Sequence, residues 1–216
     1  ERVANRLDST RFSLASEAYR NALTIYTREE NPTQWALAQT SLGNALRSLG
    51  ERNGNVLLLR QAVDAYQSAL RVYTKEAAPD EWGGAWNNLG STYVAIGDRR
   101  SLDLAVSAYN RALEVRNRES SPDQWSSTWL NLGSANVSRF EAGERSAIGD
   151  AIQAFESALS TRSRLRDPAS WARAKFSLAL ALGIYADRID RRRLSEAISV
   201  AQDARDGFQD AGDARM

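Results

Sequence analysis

The chain contains no cysteine and no histidine among its 216 residues. Without cysteine there is no disulfide framework and no thiolate metal site. Without histidine the commonest general base and the commonest metal ligand are both missing. No stretch approaches the roughly 18 consecutive apolar residues that a membrane-spanning helix requires. The opening run Glu1-Arg2-Val3-Ala4-Asn5-Arg6 lacks the apolar core of a signal peptide. An excess of one charge is absent too. With 28 Lys+Arg against 27 Asp+Glu the net charge is +1, which argues against a nucleic-acid or membrane-surface partner. Local basic runs exist at Arg162, Arg164 and Arg166, and at Arg188 with Arg191, Arg192 and Arg193. Asp167, Asp187 and Asp190 interleave with them, the pattern of a solvated surface. No Gly-x-Ser-x-Gly or Walker-type loop occurs. The expectation is a protein without a catalytic site, cofactor or metal, in a cytoplasmic setting.

Proline is scarce, and its placement is the first positive signal. The four prolines are Pro32, Pro79, Pro122 and Pro168, separated by 47, 43 and 46 residues. Three residues after each comes a tryptophan: Trp35, Trp82, Trp125 and Trp171. Seven residues beyond each tryptophan stands Leu42, Leu89, Leu132 or Leu178, followed by Gly43, Gly90, Gly133 or Ala179. A second pattern runs from Ala62 through Tyr66 and Ala69 to Leu70. It recurs from Ala105 through Tyr109, and from Ala151 through Phe155. An earlier copy starts at Ala15, and a weak late one is Ala197, Ala201 and Ala204.

From the first alanine of this pattern to the leucine of the next unit is 27 residues in every copy. From the leucine to the alanine within a unit the spacing varies from 16 to 20. An insertion inside a packed helix rotates all that follows by about 100° and destroys the buried stripe. The invariant stretch therefore reads as two helices in fixed register across a tight turn, the variable one as containing an exposed loop. Gly50, Gly97 and Gly143 suit helix C-caps at that loop, and the prolines suit first helical turns. Nine helices of about 17 to 22 residues follow. A leading helix covers about 9 to 29, the first helices of four pairs start near the prolines, and their second helices start near Val56, Ser101, Ser146 and Arg191.

Trp86-Asn87-Asn88-Leu89-Gly90-Ser91-Thr92-Tyr93 matches the tetratricopeptide first-helix pattern W-x2-L-G-x2-Y, and Ala105, Tyr109 and Ala112 match its second helix. The chain resembles that repeat family over nearly its whole length. The departure is length, 43 to 47 residues per unit against about 34, as in extended repeats of large bacterial signalling and scaffold proteins. The resemblance implies an all-α solenoid of stacked antiparallel helix hairpins, a right-handed superhelix filling residues 1–216 as one domain. Residues 1–31 are then the second helix of a truncated unit, 32–78, 79–121 and 122–167 are full units, and 168–216 is the last. The only methionine is Met216, a further unit would begin at Ala214, and the whole reads as a piece of a longer array.

The tryptophans and the small residues read as packing, since an aromatic at helical spacing is usually core. The resemblance also implies a concave groove lined by the first helices, where a peptide segment or helix of a protein partner binds. Counting from the core positions gives Asn44, Arg47, Asn87, Asn88, Ser91, Asn131, Ser134, Arg173, Phe176 and Leu180 as candidate groove residues. Asn88 and Asn131 hold the place where an amide can both donate to and accept from an extended peptide. Only Arg47 and Arg173 are cationic, so a clamp for acidic C-termini is not expected. The alternative is a structural role, as a self-assembling module or as the sensor arm of a larger effector-bearing bacterial protein.

Overall fold

A computed structural model describes residues 2–213, with side chains over 9–212. Ala214, the expected start of a further unit, and Met216 lie outside the described residues. Within them the chain forms nine α-helices and no strand. They are α1 (Arg2–Ile25), α2 (Pro32–Asn53), α3 (Val56–Ala69), α4 (Pro79–Ile96), α5 (Arg99–Leu113), α6 (Pro122–Glu141), α7 (Ala147–Leu159), α8 (Pro168–Arg188) and α9 (Leu194–Asp213). A single 3-10 turn at Arg191–Arg193 leads into α9. The helices pair as antiparallel neighbours along two compact units, one up to Val115 and one from Arg116.

In the first unit, Leu42 and Leu46 of α2, Ala62 and Tyr66 of α3, and Leu89 of α4 build one apolar cluster. In the second unit, Ile148, Ile152 and Phe155 of α7 pack with Leu178 and Leu182 of α8. The glycine one place after Leu42, Leu89 and Leu132 lets the aromatic of the following helix lie against the backbone. An added Cβ would stand 2.7 Å from Tyr66 at Gly43, 2.6 Å from Tyr109 at Gly90 and 2.5 Å from Phe155 at Gly133. Gly in a helix interior costs about 1 kcal/mol relative to Ala, and this close approach offsets it.

Helix starts at the four prolines match expectation, and the other limits move for identifiable reasons. Gly50 is no cap: it is buried in α2, where a Cβ would meet Leu59 at 2.9 Å. The left-handed cap is Gly54, at φ 60°, as Gly97 is in its unit, whereas α6 is capped by Ala142 and the left-handed Gly143 follows it. Helix α5 starts at Arg99 because Asp98 accepts from the Ser101 amide. Helix α9 waits until Leu194, behind the turn whose first residue, Asp190, accepts from the Arg192 amide.

The second helices end earlier than expected, at Ala69, Leu113 and Leu159, and the joint to the next helix is a built turn. The residue before each proline donates its amide to the carbonyl five residues before that proline: Asn31 to Thr27, Ala78 to Thr74, Ser121 to Asn117 and Asp167 to Ser163. It then accepts from Trp35, Trp82, Trp125 or Trp171 in the following helix. Side chains reinforce the turn: Thr27 Oγ1 accepts from the Glu30 amide, Thr74 Oγ1 from Ala77, and Asn117 Oδ1 from Glu119 and Ser120. A closed hydrogen-bonded turn has no slack, which explains the constant spacing across this joint.

Candidate binding face

In the first unit the candidate residues lie on α2 and α4, and most of their polar atoms are already engaged. Asn44 Oδ1 accepts from Tyr66 Oη at 2.7 Å and from Asn88 Nδ2 at 3.2 Å. Asn88 thus ties α4 to α2. Tyr109 Oη donates to Ser91 Oγ at 3.1 Å, and Ser91 Oγ donates to the Asn87 carbonyl at 3.2 Å. Arg47 pairs with Glu51 one turn along its helix, at 2.7 Å. Burial pushes the Tyr66 hydroxyl up to about 12, with nearby Arg47 opposing the shift. Burial likewise pushes Tyr109 up to about 12, against its hydrogen bond to Ser91. Both tyrosines therefore stay neutral donors across any physiological pH.

The hydroxyls of Tyr66 and Tyr109, which the repeat pattern marks only as its aromatic positions, reach this face. A signal was available two places after the repeat leucine. Asn44 and Ser91 accompany the tyrosines, Ser134 accompanies Phe155, and Leu180 accompanies Ala201. Where the aromatic carries no hydroxyl, Ser134 Oγ turns back to the Leu130 carbonyl at 3.0 Å. Where the aromatic is lost, the residue opposite is apolar.

In the second unit the face changes character. Asn131 is half-buried, and Arg173 is exposed with its guanidinium on Ser170 Oγ at 2.8 Å. Phe176 and Leu180 are about half exposed, at 50% and 53%. Between the C-terminal end of α6 and α8 lies a cleft of about 530 Å³, lined by Phe140, Leu180 and Ile184, with Glu141, Asp187 and Arg188 also on its lining. Phe176 and Arg173 do not line it. Phe140 was not foreseen, although it stands two helical turns beyond Leu132 on the same stripe.

The basic clusters are built into the fold. Arg162 donates to Ser126 Oγ at 2.7 Å, and Arg164 pairs with Asp210 at 2.6 Å while lying over the Trp171 ring. Arg188, Arg192 and Arg193 pair with Asp187, Asp190 and Glu196. Among the described residues no cluster of carboxylates has metal-binding geometry, and no helix is long and apolar enough to cross a membrane.

These features define a helical-repeat protein of tetratricopeptide-like fold. No protein-family model matches the chain, and no curated protein matches it. Among solved structures it is similar to a crystal structure of MamA, with a TM-score of 0.63 and 19% identity over 94% of this chain and 91% of that one. A second MamA crystal structure gives a TM-score of 0.53 and 16% identity over 97% of this chain and 96% of that one. At such identity the likeness concerns the fold alone.

Proposed function

We propose that the chain is an extended tetratricopeptide-type scaffold that holds a peptide segment or helix of a protein partner on the face of its first helices. The observation that carries this reading is the α6–α8 cleft, whose apolar lining and charged residues suit one bulky apolar side chain flanked by polar groups. The Asn44–Asn88 bridge suits a different task, holding the wall of the face in register. The absence of histidine and cysteine removes two of the commonest catalytic groups, which supports reading the work as binding rather than chemistry.

Selection of binders from a displayed random-peptide library, followed by calorimetry, tests the reading. Selected peptides are expected to share one large apolar residue. Full burial of such a side chain contributes about 1.5–3 kcal/mol, so Leu180→Asp should weaken binding by about 10- to 150-fold. Asn88→Ala with Asn131→Ala should cost much less. Peptides that bind equally well to Leu180→Asp would remove the cleft from the model. A loss confined to the double asparagine variant would return the anchor to the polar positions.

A further inference from the structure

Three residues before each repeat leucine stands Gln39, Trp86, Trp129 or Lys175, and four after it Leu46, Tyr93, Asn136 or Leu182. On α4 both places are aromatic. Trp86 and Tyr93 pack against the first unit's apolar cluster, and Tyr93 Oη accepts from Gln67 Nε2 of α3 at 3.3 Å. On α8 the first place holds Lys175, which pairs with Asp203 at 2.8 Å and lies over the Trp171 ring. On α2 both aromatics are missing. Gln39 and Leu46 line a recess of about 370 Å³ between α1, α2 and α3, a volume within the range of small-ligand pockets. All three walls belong to the described chain. The repeat register assigns this space to an indole from the first helix itself and not to a neighbouring unit.

The recess has an apolar floor and a polar rim. Leu42 and Leu46 form the floor, and Leu42 at 8% is more exposed than its counterpart Leu89 at 1%. Arg20 of α1 holds the place of Gln67, but with Leu46 where Tyr93 would be it has no hydroxyl to meet. It turns to neutral oxygens instead, Gln61 Oε1 at 3.2 Å and Ser16 Oγ at 3.5 Å. Asp64 of α3 stands on the rim with no cation paired to it among the described residues, and the Gln39 amide makes no hydrogen bond among them. A cation and an anion without counter-ions, and a free amide, thus surround an aromatic-sized space. An indole N–H entering it finds acceptors in Gln39 Oε1 and the Asp64 carboxylate, which Trp86 and Trp129 lack in their own places.

We infer that this recess receives a tryptophan side chain of a protein partner, from a segment with an acidic residue on one side of it and a basic residue on the other. The indole takes the place that the repeat gives to Trp86, and the flanking charges meet Arg20 and Asp64. Because the two charges come from α1 and α3, they match a segment crossing the recess and not a neutral indole alone. The site goes beyond the proposed α6–α8 cleft and shares no residue with it.

NMR titration of methyl-labelled protein with acetyl-Glu-Trp-Lys-amide, and with the reverse order acetyl-Lys-Trp-Glu-amide, tests the inference. At least one should shift the Leu42 and Leu46 methyl signals saturably at millimolar concentration or below. The same peptides with alanine for tryptophan, and free indole, should bind more weakly by about tenfold or more. Gln39→Trp restores the repeat residue, so it should keep or raise the melting temperature and weaken peptide binding by about tenfold or more. Asp64→Lys, at an exposed position, should weaken binding by about threefold or more with helical content unchanged. No shift with either peptide, equal binding of the alanine peptides or of free indole, or full affinity in Gln39→Trp would overturn the inference. So would a lowered melting temperature in Gln39→Trp, because the space would then not accept an indole. Leu180→Asp should bind these peptides normally, and a loss there would move the tryptophan to the α6–α8 cleft and remove it from this recess.

Discussion

At Gly90 a methyl group would stand 2.6 Å from the Tyr109 ring, which is itself buried and held by its hydroxyl on Ser91. The ring has nowhere to go. Replacing Gly90 by alanine gains about 1 kcal/mol of helix propensity against an overpacking cost of about 1–3 kcal/mol. The clash wins, and Gly90→Ala should lower stability by about 1 kcal/mol or more in urea denaturation. Gly183 makes the opposite case. It sits inside α8 with nothing within 4 Å of an added Cβ. Gly183→Ala should raise stability by up to about 1 kcal/mol. The same substitution thus changes sign with the neighbour it meets. Two variants that shift the midpoint in the same direction would contradict the packing argument.

Helices joined by two kinds of connection should tolerate insertions unequally. Gly54 caps α2 in the left-handed region, with open space around it. Two residues added after Gly54 lengthen an exposed loop and should cost well under 1 kcal/mol. The same insertion after Thr74 breaks the turn from the Ala78 amide to the Thr74 carbonyl and separates Tyr73 from Trp82. That loss should reach roughly 2–4 kcal/mol, in the range of a core truncation. Thermal denaturation of the two insertion variants distinguishes these outcomes, and equal destabilisation would mean that the fixed spacing has another origin. The candidate face divides along the same line. Positions on the rigid α2–α4 pair are locked by Asn44, Asn88 and the tyrosine hydroxyls, whereas the α6–α8 pair leaves Leu180 and Ile184 facing a cleft.

For the whole molecule the absence of histidine predicts a stability plateau through neutral pH. The alkaline limit comes chiefly from Tyr66 and Tyr109, whose folded values of about 12 exceed the ordinary 10. A raised folded pKa gives stability that is complete below pH 10 and lost as pH rises toward 12. The slope is up to about 1.4 kcal/mol per pH unit for each tyrosine. The acidic limit has the opposite sign. Hydrogen bonds to Ser101 and Ser170, and the Arg192 guanidinium, hold Asp98, Asp167 and Asp190 below the usual carboxylate range. Their contribution is present above that range and disappears as pH falls through the lowered values. Chemical denaturation across pH should therefore show a dome with a flat centre. Tyr66→Phe with Tyr109→Phe should shrink the fall between pH 10 and 12, leaving the smaller share of Tyr73 and Tyr93, which burial also raises, and should leave the acid limb unchanged.

The spacing of Pro32, Pro79, Pro122 and Pro168, with the tryptophan and leucine that follow each, was enough to determine the helical class, the pairing and four helix starts. Helical periodicity and punctuation are local, and a packed repeat cannot shift register without losing its core. The roles of Gly50 and Gly54, the early ends of α3, α5 and α7, and the choice between a free and an engaged Asn88 were decided only in three dimensions. Each depends on which atom of a distant residue arrives within hydrogen-bond or van der Waals reach: Leu59 over Gly50, Asn44 beside Asn88, Phe140 opposite Leu180. A one-dimensional pattern shows which side of a helix faces inward. It cannot show what a polar group on the other side will find there.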